Sequence, residues 1–331
     1  MKVAVFSTKP YDIEYLKKFN INNKHQFTFL DVALNVTTTE LCKGFEAVCV
    51  FVNDQLNKAV IEQLAINNIK LIVLRCAGFN NVDIMAAAEK NIVVVRVPTY
   101  SPQAVAEHAV TLILTLNRKT HKAYNRVREN NFSLAGLMGF NLSGKTIGVI
   151  GTGRIGSAFC KMMQGFNCKI IAYDIKETIA LKQQDIVYKS LEEVIVSADI
   201  ISLHCPLTPQ TNHLFNATNF SKMKKGAMLI NTSRGGLVNT IDVINALKTG
   251  QLGYLGMDVY EQEENLFFNN LSETLVQDDL LERLLTFPNV LITPHQGFFT
   301  TEALDQIAIT TIKNCSDFEE DLILENEIKC L

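Results

Sequence analysis

The sequence TIGVIGTGRIG, residues 146–156, joins a short apolar run to three glycines in the pattern G-x-G-x-x-G. Alone the pattern is weak. Here it follows the strand-like run TIGVI directly and opens a helix expected over Arg154–Gln164, the setting in which such a loop cradles a dinucleotide. Gly151 permits the tight turn, Gly153 lets the backbone approach a pyrophosphate, and Gly156 lets helix and strand pack closely. The helix N-terminus offers free N–H groups and a positive dipole end to phosphates. The next apolar run ends at Asp174. A carboxylate there accepts hydrogen bonds from ribose hydroxyls and repels a 2′-phosphate, which favours NAD over NADP, although nearby Lys176 softens the preference.

Outward from this turn, TIGVIG is the first of six runs that read as buried strands. The others are KIIAYD (169–174), DIISLH (199–204), AMLIN (227–231), YLGMDV (254–259) and NVLIT (289–293). Six strands suffice for a dinucleotide-binding sheet of two three-stranded halves. Upstream, KVAVF (2–6), AVCVFV (47–52), IKLIVL (69–74) and IVVVRV (92–97) alternate with helix-like stretches such as Asn57–Ile66 and Val82–Lys90. Strand alternating with helix predicts a second, smaller doubly wound parallel sheet. Between the two series a single long helix is expected from Ser101 to about Arg128, with Pro102 in its first turn. A helix at Thr301–Phe318 has two homes open to it: capping the second domain or returning to the first. The acidic, poorly periodic segment Glu261–Asp279 reads equally well as a functional loop or a solvated insertion.

Over 331 residues the chain is 47% hydrophobic and 20% charged with a net charge of −3. Disorder is excluded, and nothing favours binding to nucleic acid or an anionic membrane. The apolar run in MKVAVFSTKP is too short for a secretory signal, and no stretch approaches the ~18 apolar residues of a membrane span. Eight cysteines (42, 49, 76, 160, 168, 205, 315 and 330) are scattered without a C-x-x-C pair. Reduced thiols in the cytoplasm, and no metal site, are the expectation.

Ligands and chemistry in such a sheet belong at the carboxyl ends of the strands. Three chemically suited residues fall there: Arg234 in NTSRGG after AMLIN, Glu263 in DVYEQE after YLGMDV, and His295 in TPHQG after NVLIT. Each alone has an ordinary explanation as a salt bridge, a solvated loop residue or a satisfied histidine. Together they supply what hydride transfer to a keto acid requires: a cation for the carboxylate and carbonyl, a proton donor that titrates near neutrality, and a carboxylate that keeps the donor charged. The remaining histidines are weaker candidates. His25 and His121 belong to no motif, His108 reads as packing on the long helix, and His204 and His213 have no obvious carboxylate partner.

The motifs LRCAGFNNVD (74–83), VPTYSPQAVAEHA (97–109), NRVRENNFSLAGL (125–137), GVIGTGRIG (148–156), HCPLTPQTNHLFN (204–216), NTSRGGLV (231–238), GMDVYEQE (256–263) and TPHQGFFTTEA (293–303) span essentially the whole chain. In this order they resemble the D-isomer-specific 2-hydroxyacid dehydrogenases. Tyr100, the DVYE run and the FF after His295 are most similar to the fermentative lactate branch. The resemblance implies a Rossmann NAD-binding domain (101–298) inserted into a flavodoxin-like substrate domain (1–100 plus 299–331). It implies that Arg234 binds and polarises the substrate, that His295 is the acid/base and Glu263 its partner, and that Ala77, Gly78, Tyr100 and Phe299 contact a small 2-keto acid. Cofactor contacts are implied at Gly151, Gly153, Arg154, Ile155, Gly156, Asp174, Cys205, Pro206, Asn212, Thr232, Ser233 and Asp258. RGGL, with Gly236, departs from the commoner RGA or RGP. The implied reaction is NADH-dependent reduction of pyruvate to D-lactate, with the stereochemistry resting on the resemblance alone. The rivals are a dehydrogenase for hydroxypyruvate, glyoxylate or a branched keto acid, and an NAD-sensing corepressor-like binding protein. A homo-oligomer, dimer or tetramer, is expected, with the helix Pro102–Asn117 as one candidate interface and internal packing its equal alternative.

Overall fold

The computed structural model describes residues 1–263 and 266–329. The chain divides into two compact units, Met1–Ser101 with Phe299–Leu331, and Pro102–Phe298. The first unit holds five strands: β1 (Lys2–Val5), β2 (Gln26–Phe29), β3 (Ala47–Val50), β4 (Leu71–Leu74) and β5 (Val93–Arg96), in the spatial order β2-β1-β3-β4-β5. All pairs are parallel. β3 and β4 are buried at every residue, which is why AVCV and LIVL are continuous apolar runs without alternation. β2 escapes a sequence reading because it is an edge strand of four residues, QFTF, with only Phe27 and Phe29 half-buried. The helix Thr301–Glu319 belongs to this unit, where Ala308 and Cys315 are buried with Val3, Val5, Val73 and Val95.

The second unit holds seven parallel strands: β6 (Thr146–Ile150), β7 (Lys169–Tyr173), β8 (Val187–Tyr188), β9 (Ile200–Leu203), β10 (Ala227–Asn231), β11 (Leu252–Met257) and β12 (Val290–Ile292). Their order is β12-β11-β10-β9-β6-β7-β8, one strand more than the sequence runs suggest, because β8 is only two residues long. The order reverses between β6 and β9, so a crevice opens at their carboxyl ends, the point where such sheets bind ligands.

The single helix expected over 101–128 is two helices, Pro102–Arg118 and Thr120–Arg128. Lys119 breaks it by adopting a left-handed conformation (φ 51°, ψ 36°), and its ammonium donates to the carbonyls of Gly136 and Met138 at 2.9 and 2.8 Å. The first of the two helices buries Ala106, Ala109, Leu112, Ile113 and Leu116 against Ile147, Val149 and Phe159 of its own unit. Helix starts are held by side chains: Asn57, Asp83, Ser190, Asn216, Asn239, Asp278 and Thr300 each accept a first-turn backbone N–H. The helix Arg154–Gly165 begins instead at Gly153, which has no side chain to cap it.

Candidate active site

The glycine loop follows β6 and takes the shape its spacing predicts. Gly151 sits at φ 93°, and a Cβ there would lie 2.6 Å from the backbone of His204 and Cys205, so this turn presses directly on the segment after β9. A Cβ at Gly156 would lie 2.0 Å from the Gly151 carbonyl oxygen, whereas one at Gly153 would meet nothing within 4 Å. The middle glycine alone therefore faces open space, which is the cradle a pyrophosphate requires. Asp174, at the end of β7, accepts from the Thr152 N–H at 2.5 Å and from its hydroxyl at 3.2 Å, while Lys176 N–H caps the other oxygen at 3.0 Å. Tyr188 braces this corner by donating to the Thr152 hydroxyl at 2.8 Å. Arg154 and Ile155 form the first turn of the helix.

Cys205 and Pro206 follow β9. Burial pushes the Cys205 thiol up to about 11, so it stays protonated, and its carbonyl accepts from the Ser233 hydroxyl at 2.6 Å. Pro206 accepts from Thr211, and Asn212 donates its N–H to the Thr208 carbonyl at 2.9 Å. The Thr232 hydroxyl is buried and meets no hydrogen-bond partner among the described residues. A buried polar atom in this state, at the carboxyl end of the same sheet as the open glycine turn, fits a ligand that supplies its missing partner.

The three chemically suited residues stand on the ends of three adjacent strands, β10, β11 and β12. His295 adopts a left-handed conformation (φ 56°), which costs about 1 kcal/mol or more for a residue with a Cβ. Its Nδ1 lies 2.7 Å from Glu263 Oε1. The other Glu263 oxygen accepts the Tyr260 N–H at 2.8 Å, which aims the carboxylate. A carboxylate only accepts, so Nδ1 carries the proton of that bond and Nε2 is left as the working nitrogen. The Arg234 guanidinium donates to the Ser233 carbonyl at 2.6 Å, one of its five N–H donors. A Cβ at Gly235 would fall 2.1 Å from the Tyr260 carbonyl carbon, so the turn after β10 packs backbone to backbone on the turn that carries Glu263. Gly236 is less constrained: a Cβ there would meet side chains only, Leu207 at 3.1 Å and Asn212 Oδ1 at 3.5 Å.

Asp258 is buried just past β11, and its carboxylate accepts from the Thr293 hydroxyl at 2.6 Å, the Gln296 N–H at 2.9 Å and the Gly297 N–H at 2.7 Å. It thereby organises the loop on both sides of His295. Phe268, in the segment whose role was open, lies with its ring 5.7 Å from the His295 ring. Phe267 beside it is buried in the core, worth roughly 2 kcal/mol. The Tyr260 hydroxyl closes the far end of the segment by donating to Asp278 at 2.8 Å. The segment 261–279 is thus anchored at Phe267 and Asp278 while 269–270 and 272–275 between them are exposed; residues 264 and 265 lie outside the described residues.

Two expectations for histidines need correction. His213 does have a carboxylate partner, Glu261 at 2.5 Å, and Glu261 also accepts from the hydroxyl of Thr240 at 2.7 Å. His108 is more than packing, since its Nε2 is 2.9 Å from the Thr293 hydroxyl. Neither was visible in sequence because both partners are distant along the chain. His204 bonds Ser202 at 2.9 Å and, pushed down to about 3 by burial, stays neutral in the working range. In the first unit, Arg96 donates to the carbonyl of Ala77 at 2.9 Å, and the Cys76 thiol donates to that of Gly78 at 3.3 Å. Tyr100 follows β5, and the half-exposed Phe299 ring packs edge-to-face on Tyr11 at 4.9 Å.

Residues 110–297 match the model of the NAD-binding domain of D-isomer-specific 2-hydroxyacid dehydrogenases. The chain belongs to that family. A 2-hydroxyacid dehydrogenase A from Aspergillus oryzae is 52% identical over 96% of this chain and 92% of its own length. The D-lactate dehydrogenase of Escherichia coli K12 is 48% identical over 99% of this chain and 100% of its own. Among solved structures, one described as the pyruvate reductase of Chlamydomonas reinhardtii superposes with a TM-score of 0.92 at 44% identity, covering 98% of both chains. As a member of the family the protein is an NAD-dependent oxidoreductase of small hydroxy and keto acids, and its second unit carries the NAD-binding domain. Among the described residues no helix is long and apolar enough to cross a membrane.

Proposed function

We propose that the protein is a D-lactate dehydrogenase, reducing pyruvate to D-lactate with His295 as the acid/base. The observation that carries this reading is the 2.7 Å pair between His295 Nδ1 and Glu263, after β12 and β11, with Arg234 after the next strand in the sheet, β10. Bound NADH supplies the hydride that the keto carbon accepts. His295 gives the Nε2 proton to the carbonyl oxygen as negative charge develops there, and Glu263 stabilises the imidazolium before transfer. Arg234 binds the carboxylate with its planar fork and polarises the carbonyl. Gly151, Gly153, Gly156, Arg154, Ile155 and Asp174 hold the pyrophosphate and ribose, and Cys205, Pro206, Asn212, Thr232, Ser233 and Asp258 complete the cofactor side. On the family's pattern, the first unit is the substrate domain and Ala77, Gly78, Tyr100 and Phe299 are its substrate contacts. The choice of pyruvate rests on the activities named for the E. coli and Chlamydomonas relatives.

The deciding experiment is NADH oxidation with pyruvate, 2-ketobutyrate, hydroxypyruvate, glyoxylate and a branched 2-keto acid, with the chirality of the product determined. Fastest turnover on pyruvate giving D-lactate is expected. Preference for a larger keto acid would retain the chemistry and overturn the substrate, and no turnover on any of them would point to a corepressor-like binding protein. The protein works in the cytoplasm as a homo-oligomer in this reading. The support for oligomerisation is an apolar arm, with Tyr124 and Val127 on the helix Thr120–Arg128 and Phe132, Leu134 and Met138 after it, all at least half exposed.

A further inference from the structure

We infer that His108 is a positioning residue for the acid/base centre: a proton on its Nε2, shared between Asp258 and Thr293, fixes the 293–297 loop that carries His295. The inference rests on the assignment of His295 as the acid/base. His108 projects from the helix Pro102–Arg118, with its Nε2 3.1 Å from Asp258 Oδ1 and 2.9 Å from Thr293 Oγ1. The location of the hydrogens follows by accounting. Asp258 as a carboxylate has no proton to give. The single proton of the Thr293 hydroxyl is directed to Asp258 Oδ1, 2.6 Å away, its shortest contact. The hydrogen between these oxygens and the histidine must therefore be on Nε2, since a bare Nε2 would set its lone pair against that of Oδ1. His108 thus donates to both groups at once.

The groups that accept from His108 brace the acid/base loop. Asp258 takes the N–H groups of Gln296 and Gly297, immediately after His295, and Thr293 sits two residues before it. Gly297 lies flat on the pair: a Cβ there would be 2.9 Å from Asp258 Oδ2 and 3.5 Å from His108 Cδ2. The left-handed backbone of His295 is a conformation that persists only where its surroundings hold it. His108 ties those surroundings to a helix whose apolar face is buried in the unit, so the loop takes its register from the core. It hydrogen-bonds neither Glu263 nor Arg234, and reaches the acid/base through Asp258 and the loop.

The test compares His108→Leu, which removes the donor, with His108→Gln, which keeps an N–H at similar reach, and with Thr293→Val, which removes the hydroxyl at constant shape. His295→Asn serves as reference. We expect His108→Leu to lower kcat for pyruvate about tenfold or more, because small misplacement of a reacting group is costly. The fall in kcat should exceed any change in NADH affinity by fluorescence titration, and His108→Gln should recover most of the loss. Thr293→Val should lower kcat in the same way and combine non-additively with His108→Leu. Wild-type kcat in His108→Leu, or equal kcat losses in the Leu and Gln variants that track a fall in Tm, would overturn the inference. If His108→Leu does not fold, full activity in Thr293→Val overturns it equally. Activity surviving in His295→Asn would instead overturn the assignment of His295 on which the inference stands.

Discussion

At the residue scale, the site turns on how one histidine is aimed by a carboxylate and another is kept neutral by burial. Glu263 faces His295 at 2.7 Å and orients its ring, so Glu263→Gln is expected to lower kcat/KM for pyruvate about tenfold or more. Steady-state kinetics at fixed pH check this, and a wild-type kcat/KM removes Glu263 from the role. His204 behaves oppositely: burial pushes it down to about 3 from an ordinary 6.5. The unfolded chain therefore binds this proton near pH 6.5 and the folded chain does not until about 3, so His204 erodes stability as pH falls through that window and leaves it untouched above. His204→Gln, which retains a partner for Ser202, is expected to lose less Tm between pH 7 and pH 4 than the parent chain. Equal losses would show that His204 protonates without opposing the fold.

At the element scale, the glycine turn offers a contrast that separates folding from binding. Gly156→Ala forces a methyl against the Gly151 carbonyl and should destabilise the unit by about 2 kcal/mol, seen as a lower Tm. Gly153→Ala meets no protein atom, so Tm should hold while NADH affinity falls about tenfold, since the methyl occupies the face left open for the pyrophosphate. A normal affinity in Gly153→Ala would dismiss that face as the binding site. This turn was readable in sequence because its function is local: three glycines, the strand before and the helix after are all contained in residues 146–165. Buried central strands such as LIVL were readable for the same reason, as burial on both faces writes itself as an unbroken apolar run. The edge strands β2 and β8 were not, being short and only half-covered. The break at Lys119 was hidden as well, because the sequence shows neither glycine nor proline there and the clamp on Gly136 and Met138 is made across a loop. The residue types at 234, 263 and 295 could be placed on strand ends, whereas the bonds that aim them, from Tyr260, Asp258 and His108, depend on pairings that only the folded sheet brings about.

At the scale of the whole molecule, the exposed arm carries the oligomer prediction. Leu134→Lys with Met138→Lys places two charges on residues that are 82% and 85% exposed, so the monomer fold should be unaffected while the assembled form is lost. Light scattering coupled to size exclusion reads the mass directly, and an unchanged oligomer would put the interface elsewhere. The division of the chain has a further consequence, for the order in which the protein can be made. The first unit is interrupted after Ser101 and resumes at Phe299, and the helix Thr301–Glu319 supplies Ala308 and Cys315 to bury Val3, Val5, Val73 and Val95. A ribosome therefore releases the opening strands of this sheet nearly two hundred residues before the helix that covers them, while the cofactor-binding unit is complete as soon as Phe298 has emerged. The half synthesised first is the half finished last, and its bare apolar face in the interval is what a nascent-chain chaperone would have to shield.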